Sequence, residues 1–307
     1  MNRTTLGSIV LLAPALLAAQ PSSQPSATLP DSTVARVDRV FSTWASDSTP
    51  GCIVGLAQGG QPVLARAYGM SNLEYGVRLT PDAISETGSV AKQFTAAAIA
   101  LLAQDGRLSL EDDIRKHLPE VPDFGAVVTI RHLLNHTSGL RDQWGLLGMM
   151  GRSPGTAVHT TAEILRLVGR QRELNFPPGS DYLYSNTGYT LLGVIAQRAS
   201  GMSFADFTRQ RIFEPLGMRD TQWRDDYRKI VRQRATAYDR EGGRYVMDMP
   251  FTMVHGNGGL LTTVGDLLTW NSALHREGVC EVGSTFTTHR SPRANGVRPF
   301  SLETRNP

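Results

Sequence analysis

Ser89 stands three residues before Lys92, and Tyr184-Ser185-Asn186 follows farther along the chain. A hydroxyl, an amine one helical turn away and a phenol suffice for nucleophilic acyl transfer without histidine. On a helix, positions i and i+3 share a face, so the Lys92 amine can reach the Ser89 oxygen. At a helix N-terminus that oxygen also faces the positive end of the macrodipole, which favours a nearby oxyanion. Lysine accepts a proton only when neutral, which requires burial or neighbouring positive potential. Val90, Ala91, Phe94 and Ala96 to Ala98 are suited to bury it. The spacing by itself favours the plainer reading of an N-capping serine and a solvated lysine. The chain has 22 serines but only three lysines (Lys92, Lys116, Lys229), so each lysine carries weight.

The elements that must position these groups follow from periodicity. Val34, Val37, Phe41 and Trp44 have helical spacing over Ser32 to Trp44. Cys52 to Ala57 and Val63 to Tyr68 read as two strands joined through Gly59-Gly60, and Leu73 to Val77 as a short third. From Ser89 onward the pattern is helical, first over Val90 to Gln104, Ala-rich and stopped by Gly106. Ser109 and Asp112 form a capping-box signal for a short helix ending at Pro119. Further helices are expected at Ile130 to Asn135, Ala162 to Gln171, Gly188 to Ala199, Phe204 to Phe213 and Val264 to His275. The fold class is therefore α/β (α+β), with an antiparallel sheet flanked by helices plus an all-helical part.

At 307 residues, 40% hydrophobic and 19% charged, the chain has the composition of a soluble globular enzyme. A net charge of +3 with no Lys/Arg run does not indicate nucleic-acid binding. Residues 1–19 read as a signal peptide: Arg3 is the positive region, Leu6 to Ala19 the apolar one, broken by Pro14. Residues 20–30, rich in Pro and Ser, read as a linker. The expectation is a secreted or periplasmic monomer with no stable membrane insertion after signal cleavage. Cys52 and Cys280 could pair in an oxidising compartment, although Cys52 sits in an apolar run and reads as a small hydrophobe. No CxxC, HExxH or EF-hand pattern advertises a metal, and no cofactor is indicated. His132 and His136 have i,i+4 spacing, but Leu133 and Leu134 fill that helix's core face and no third ligand is near.

The stretch Glu86-Thr87-Gly88-Ser89-Val90-Ala91-Lys92-Gln93-Phe94-Thr95 resembles the nucleophile helix of the serine β-lactamase-related family. That family groups class C β-lactamases, D-alanyl-D-alanine carboxypeptidases and related esterases. Four later blocks are similar to the family's in the same order. They are Thr129 to Leu140, Phe176 to Tyr189 with Tyr184-Ser185-Asn186, Phe213 to Met218, and Gly258 to Thr263 with Asp266. The resemblance covers about residues 33 to 276 and implies a β-lactamase/transpeptidase-like fold. It also implies roles. Ser89 would attack the acyl carbon, and Lys92 would help to deprotonate it. Tyr184 would act as general base and then as acid toward the leaving group. Asn186 would bind the substrate amide and help to position Lys92, and the Ser89 N–H would be one oxyanion donor. The implied partner is a small-molecule or peptide acyl substrate, namely an ester, a D-amino-acid peptide or a β-lactam.

One departure stands out. The family places a Lys/His-(Thr/Ser)-Gly or His-x-Gly strand after the Gly-Gly-Leu block, and nothing after Leu274 matches it. The domain is expected to span 31–278, as a sheet part (31–88), a mainly helical part (89–250) and a return to the sheet part (251–278). The polar, aperiodic residues 279–307 read as a non-matching tail, and the C-terminal strands of the fold read as missing. The alternative expectation is a truncated, non-catalytic relative that folds poorly or binds acyl ligands without turnover.

Overall fold

The computed structural model describes residues 29–274. The expected signal peptide, the tail after 278 and Cys280 lie outside the described residues. Helix α1 (Asp31–Val40) leads into the hairpin of β1 (Cys52–Gln58) and β2 (Gln61–Tyr68). Gly59 and Gly60 turn it with φ of +57° and +76°, the two positive values that a tight primed turn demands. Tyr68 fastens α1 to the hairpin, with its hydroxyl 2.6 Å from Asp38 Oδ1 and its ring stacked 5.3 Å from Phe41. The single strand expected over Leu73 to Val77 is instead a turn between β3 (Met70–Asn72) and β4 (Val77–Arg78). Then β5 (Ser85–Glu86) runs straight into the segment that carries Ser89.

Helix α2 (Lys92–Gln104) is preceded by one 3₁₀ turn over Gly88–Ala91, so Ser89 lies on that turn. Helices α3 (Ile130–Leu134), α4 (Gln143–Met149), α5 (Thr161–Gly169) and α6 (Asn186–Ser200) follow. The Ser109/Asp112 signal closes a loop, with Ser109 N–H donating to Asp112 Oδ2 at 2.9 Å, and only a 3₁₀ turn forms at Ile114–Lys116. Every residue of α6 from Thr187 to Ala196 is buried, which makes this helix the centre of the helical part. Its packing is close: a methyl at Gly188 would sit 3.3 Å from the Leu133 carbonyl oxygen on α3. Beyond it come α7 (Phe204–Thr208), continued by a π-helical turn to Phe213, and α8 (Glu214–Leu216).

The segment expected to be mainly helical also carries strands β6 (Gln222–Trp223), β7 (Tyr238–Glu241) and β8 (Arg244–Met247). Strand β9 (Leu260–Thr262) and helix α9 (Val264–Leu274) close the described fold. The described strands fall into four small antiparallel sheets, and β9 lies between β5 and β6 in the three-stranded one. All three residues of β9 are buried. Helix α9 lies across the β1–β2 hairpin so closely that a methyl on Gly55 would meet Val264 Cγ2 at 2.5 Å. Among the described residues, no helix is long and apolar enough to cross a membrane.

Phe94 joins the two parts. It is fully buried on α2, edge-on to Phe213 at 5.7 Å and 4.5 Å from the Trp270 ring of α9. Phe94→Ala leaves a cavity between three elements and is expected to cost about 3–5 kcal/mol. Urea unfolding at constant m-value measures that loss.

Candidate active site

The three-stranded sheet sets the Ser89 segment. Strand β5 pairs with β9 at Ser85↔Thr262 and Glu86↔Leu261, and Thr87 N–H donates to the Leu260 carbonyl at 3.0 Å. Gly88 then turns with φ +52°, and Ser89 emerges exposed at the end of the sheet. The Ser89 N–H has no backbone acceptor among the described residues, which leaves it free to donate to an oxyanion.

Lys92, one turn later, is 7% exposed. Its Nζ has three acceptors: Ser89 Oγ at 3.1 Å, Asn186 Oδ1 at 3.0 Å and the Asn257 carbonyl at 2.5 Å. It also sits 4.8 Å from the Tyr184 ring centre and 5.6 Å from that of Tyr189. The Tyr184 hydroxyl is 2.6 Å from Ser89 Oγ, so the serine oxygen lies between the phenol and the amine. The structure thus brings Ser89, Lys92, Tyr184 and Asn186 into one contiguous cluster. Burial holds the Lys92 pKa below the ordinary lysine range, against the opposing pull of Tyr184 and the Asp142 carboxylate.

Three contributors are not among the residues given a place in the site from sequence; of these, His136 was weighed only as half of an i,i+4 metal spacing. The first is Asn257, in the glycine-rich loop before β9. Thr95 Oγ on α2 donates to the Gly256 carbonyl at 2.7 Å, and Thr190 Oγ on α6 donates to Asn257 Oδ1 at 3.2 Å. Both bonds aim the Asn257 carbonyl at Lys92. The second is His136, held at φ +57°, with its ring 4.5 Å from that of Tyr184. Its Nδ1 accepts from Ser185 N–H at 3.2 Å and its carbonyl accepts from Leu183 N–H at 3.0 Å. Burial, followed by the Lys92 charge, lowers its pKa, so the imidazole stays neutral with Nδ1 as acceptor. The third is Asp142, whose Oδ2 accepts from both Asn186 N–H at 2.6 Å and Asn186 Nδ2 at 2.9 Å. Its signal was the cap of a short helix, hidden because Gly145 and Gly148 interrupt the apolar pattern of α4. His132, the other member of the i,i+4 pair, closes the capping box of α3 by accepting from Thr129 N–H at 3.2 Å.

Ser89, Asn186, Trp144, Thr252, Asn257 and Gly258 help to line a cleft of about 330 Å³. A larger hollow of about 420 Å³ lies between Gly51–Ile53 and Thr262–Val264 and includes none of Ser89, Lys92, Tyr184 or Asn186. One competing motif is present. Gly151-Arg152-Ser153-Pro154-Gly155 has the Gly-x-Ser-x-Gly spacing of a nucleophile elbow, which requires a strand running into a helix. Here it links α4 to α5, and Ser153 Oγ bonds Thr156 Oγ1 at 3.0 Å. It is a loop turn.

The family profile described as Beta-lactamase matches residues 37–304, a range that runs into the segment set apart in the sequence. The chain belongs to the beta-lactamase family. Penicillin-binding protein 4* of Bacillus subtilis is 34% identical over 236 residues, 72% of this chain and 51% of that protein. The D-aminopeptidase of Brucella anthropi is 30% identical over 224 residues, 72% of this chain and 42% of that protein. The octameric penicillin-binding protein homologue from Pyrococcus abyssi superposes with a TM-score of 0.69 at 30% identity, over 78% of this chain and 56% of that one. The chain spans about half the length of the curated relatives it matches. The β-lactamase/transpeptidase-like fold and the serine-hydrolase class expected from the sequence are those of this family.

With three lysines in the family member, side-chain NMR of a lysine-labelled sample gives few signals to assign. The Lys92 signal, identified by its absence from Lys92→Met, should lose its proton at a pH below the ordinary lysine range. A midpoint at or above that of free lysine contradicts the buried, pre-set amine.

Proposed function

We propose that the chain is a secreted or periplasmic serine hydrolase that forms an acyl-enzyme on Ser89 with an ester, a D-amino-acid peptide or amide, or a β-lactam. The observation that carries this reading is the contact of Ser89 Oγ with both Tyr184 OH and Lys92 Nζ. An ammonium has three N–H donors, and here it meets three acceptors. A neutral amine keeps two N–H bonds, to Asn186 Oδ1 and the Asn257 carbonyl. Its lone pair then falls at the third position, toward Ser89 Oγ. The two carbonyl oxygens therefore define the direction in which Lys92 acts as a base.

In the proposed reaction Ser89 Oγ bonds to the acyl carbon as its proton passes to the Lys92–Tyr184 pair. The carbonyl electrons move to oxygen, where the Ser89 N–H donates to the oxyanion. Tyr184 returns the proton to the leaving nitrogen or oxygen as that bond breaks, and an ester on Ser89 remains. Water adds to the ester by the same proton path, releasing the carboxylic acid and the free serine. The relatives named a penicillin-binding protein and a D-aminopeptidase support the amide and β-lactam end of the substrate range. The apolar Leu6 to Ala19 stretch behind Arg3 supports export.

Intact mass spectrometry after treatment with a fluorophosphonate or a penicillin should show one covalent adduct, absent from Ser89→Ala. Lys92→Ala and Tyr184→Phe should each slow labelling by about 10²- to 10⁴-fold while keeping the wild-type circular dichroism. An unmodified mass with both reagents overturns the reading in favour of a chain that binds acyl ligands without turnover.

A further inference from the structure

Asn186 must present its amide oxygen, not its nitrogen, to Lys92. A side-chain amide can rotate by half a turn at little cost, and the reversed amide would point N–H groups at an ammonium. Something has to fix the choice. The local helix cap does not: α6 begins at Asn186, and its N-cap residue Ser185 makes no capping bond and leaves its buried hydroxyl unpaired. The acceptor that a first-turn N–H needs comes from elsewhere in the chain. Asp142 Oδ2 takes the Asn186 backbone N–H at 2.6 Å and the Asn186 side-chain Nδ2 at 2.9 Å. Its other oxygen, Oδ1, takes Trp144 N–H at 2.9 Å and Gly145 N–H at 3.2 Å, the first turn of α4. One carboxylate thus joins the positive ends of two helices, where a negative charge is favoured.

We infer that Asp142 is a positioning residue, whose carboxylate locks the Asn186 amide with its oxygen toward Lys92 and so sets the direction of the lysine lone pair. This rests on the hydrolase reading above. The second effect of Asp142 is electrostatic, since its charge attracts the Lys92 ammonium and opposes the lowering by burial. Tyr184, Tyr189 and His136 are the other titratable groups around Lys92. An asparagine at 142 has one acceptor oxygen instead of two. It can cap α4 or hold Asn186, but not both.

The test is a double-mutant cycle on the full chain, with kcat/KM against pH measured on an ester dye for wild type, Asp142→Ala, Asn186→Ala and the double variant. Asp142→Ala should lose about 100-fold in kcat/KM, the cost of misplacing a reacting group by about an ångström. In the Asn186→Ala background the same change should cost little further, because neighbours that act as a unit are not additive. The acid limb should move to lower pH without the Asp142 charge. Equal losses in both backgrounds with an unmoved limb would reduce Asp142 to a helix cap, and an unchanged rate would remove it altogether. Asp142→Asn, of the same size, takes the place of the alanine variant if the latter melts below the assay temperature. Should wild type fail to label with fluorophosphonate, the hydrolase reading falls by itself. The clamp is then read by NMR, where Asp142→Ala must lower the Lys92 midpoint further and abolish the hydrogen-bonded Asn186 side-chain signals. Unaltered signals refute it.

Discussion

The buried amine of Lys92 is the constraint on which the rest of the described structure depends. A cation that leaves water is tolerated only where hydrogen bonds and opposing charge replace its hydration, since an uncompensated buried charge costs several kcal/mol. Here the replacements come from three separate segments: the 3₁₀ turn before α2, the first residue of α6 and the loop before β9. Each must stop within about 3 Å of one nitrogen, the normal reach of an N–H···O bond. That requirement ties together residues 89, 186 and 257, which no local interaction would assemble.

The core is arranged to meet it. Helix α6 is buried all round from Thr187 to Ala196 and wedged against α2 and α3, so its N-terminus cannot drift relative to Lys92. The glycine-rich loop is pinned by Thr95 and Thr190, polar residues 0% and 1% exposed that stand on α2, which carries the lysine, and on α6. On the far side, β9 lies buried between β5 and β6, and its pairing with β5 fixes where Ser89 emerges. Arg224 is buried beside Glu86 of β5 and donates from Nε to the Thr252 carbonyl at 3.1 Å. This ion pair couples the strand that leads to Ser89 to a wall of the cleft.

How much of this was legible in the sequence depends on whether a signal was local. The α2 helix announces itself through an alanine-rich run with a glycine stop, and the β1–β2 hairpin through paired glycines. Ser89, Lys92, Tyr184 and Asn186 could be picked out because two short motifs carry them. Asn257 could not, because it contributes a main-chain carbonyl, which any residue possesses. The α4 helix is short and interrupted by glycines, and Asp142 matters through partners 44 residues away. The strands at Gln222, Tyr238 and Arg244 were missed because runs of two to four residues are too short to show alternation. The Ser109/Asp112 pair misled for another reason: Asp112 closes back onto the Ser109 N–H, and it is Asp113 that caps the short 3₁₀ turn that follows.

On the proposed reading, the surroundings of Tyr184 also bear on which group would receive the Ser89 proton. His136 is the obvious rival, since its ring lies 4.5 Å from that of Tyr184 and histidine titrates near neutrality. Yet its Nδ1 is occupied by the Ser185 N–H, its backbone is fixed at φ +57°, and both burial and the Lys92 charge oppose its protonation. A second cation beside the lysine would be costly, so the imidazole serves as a wall and as an acceptor. The two hydrogen-bond partners of the Ser89 oxygen are the exposed phenol and the buried amine. The phenol is open to solvent, and the amine faces the interior, where fixed carbonyls accept its N–H groups. On the proposed reading, this difference in burial would separate proton delivery by Tyr184 from charge storage on Lys92.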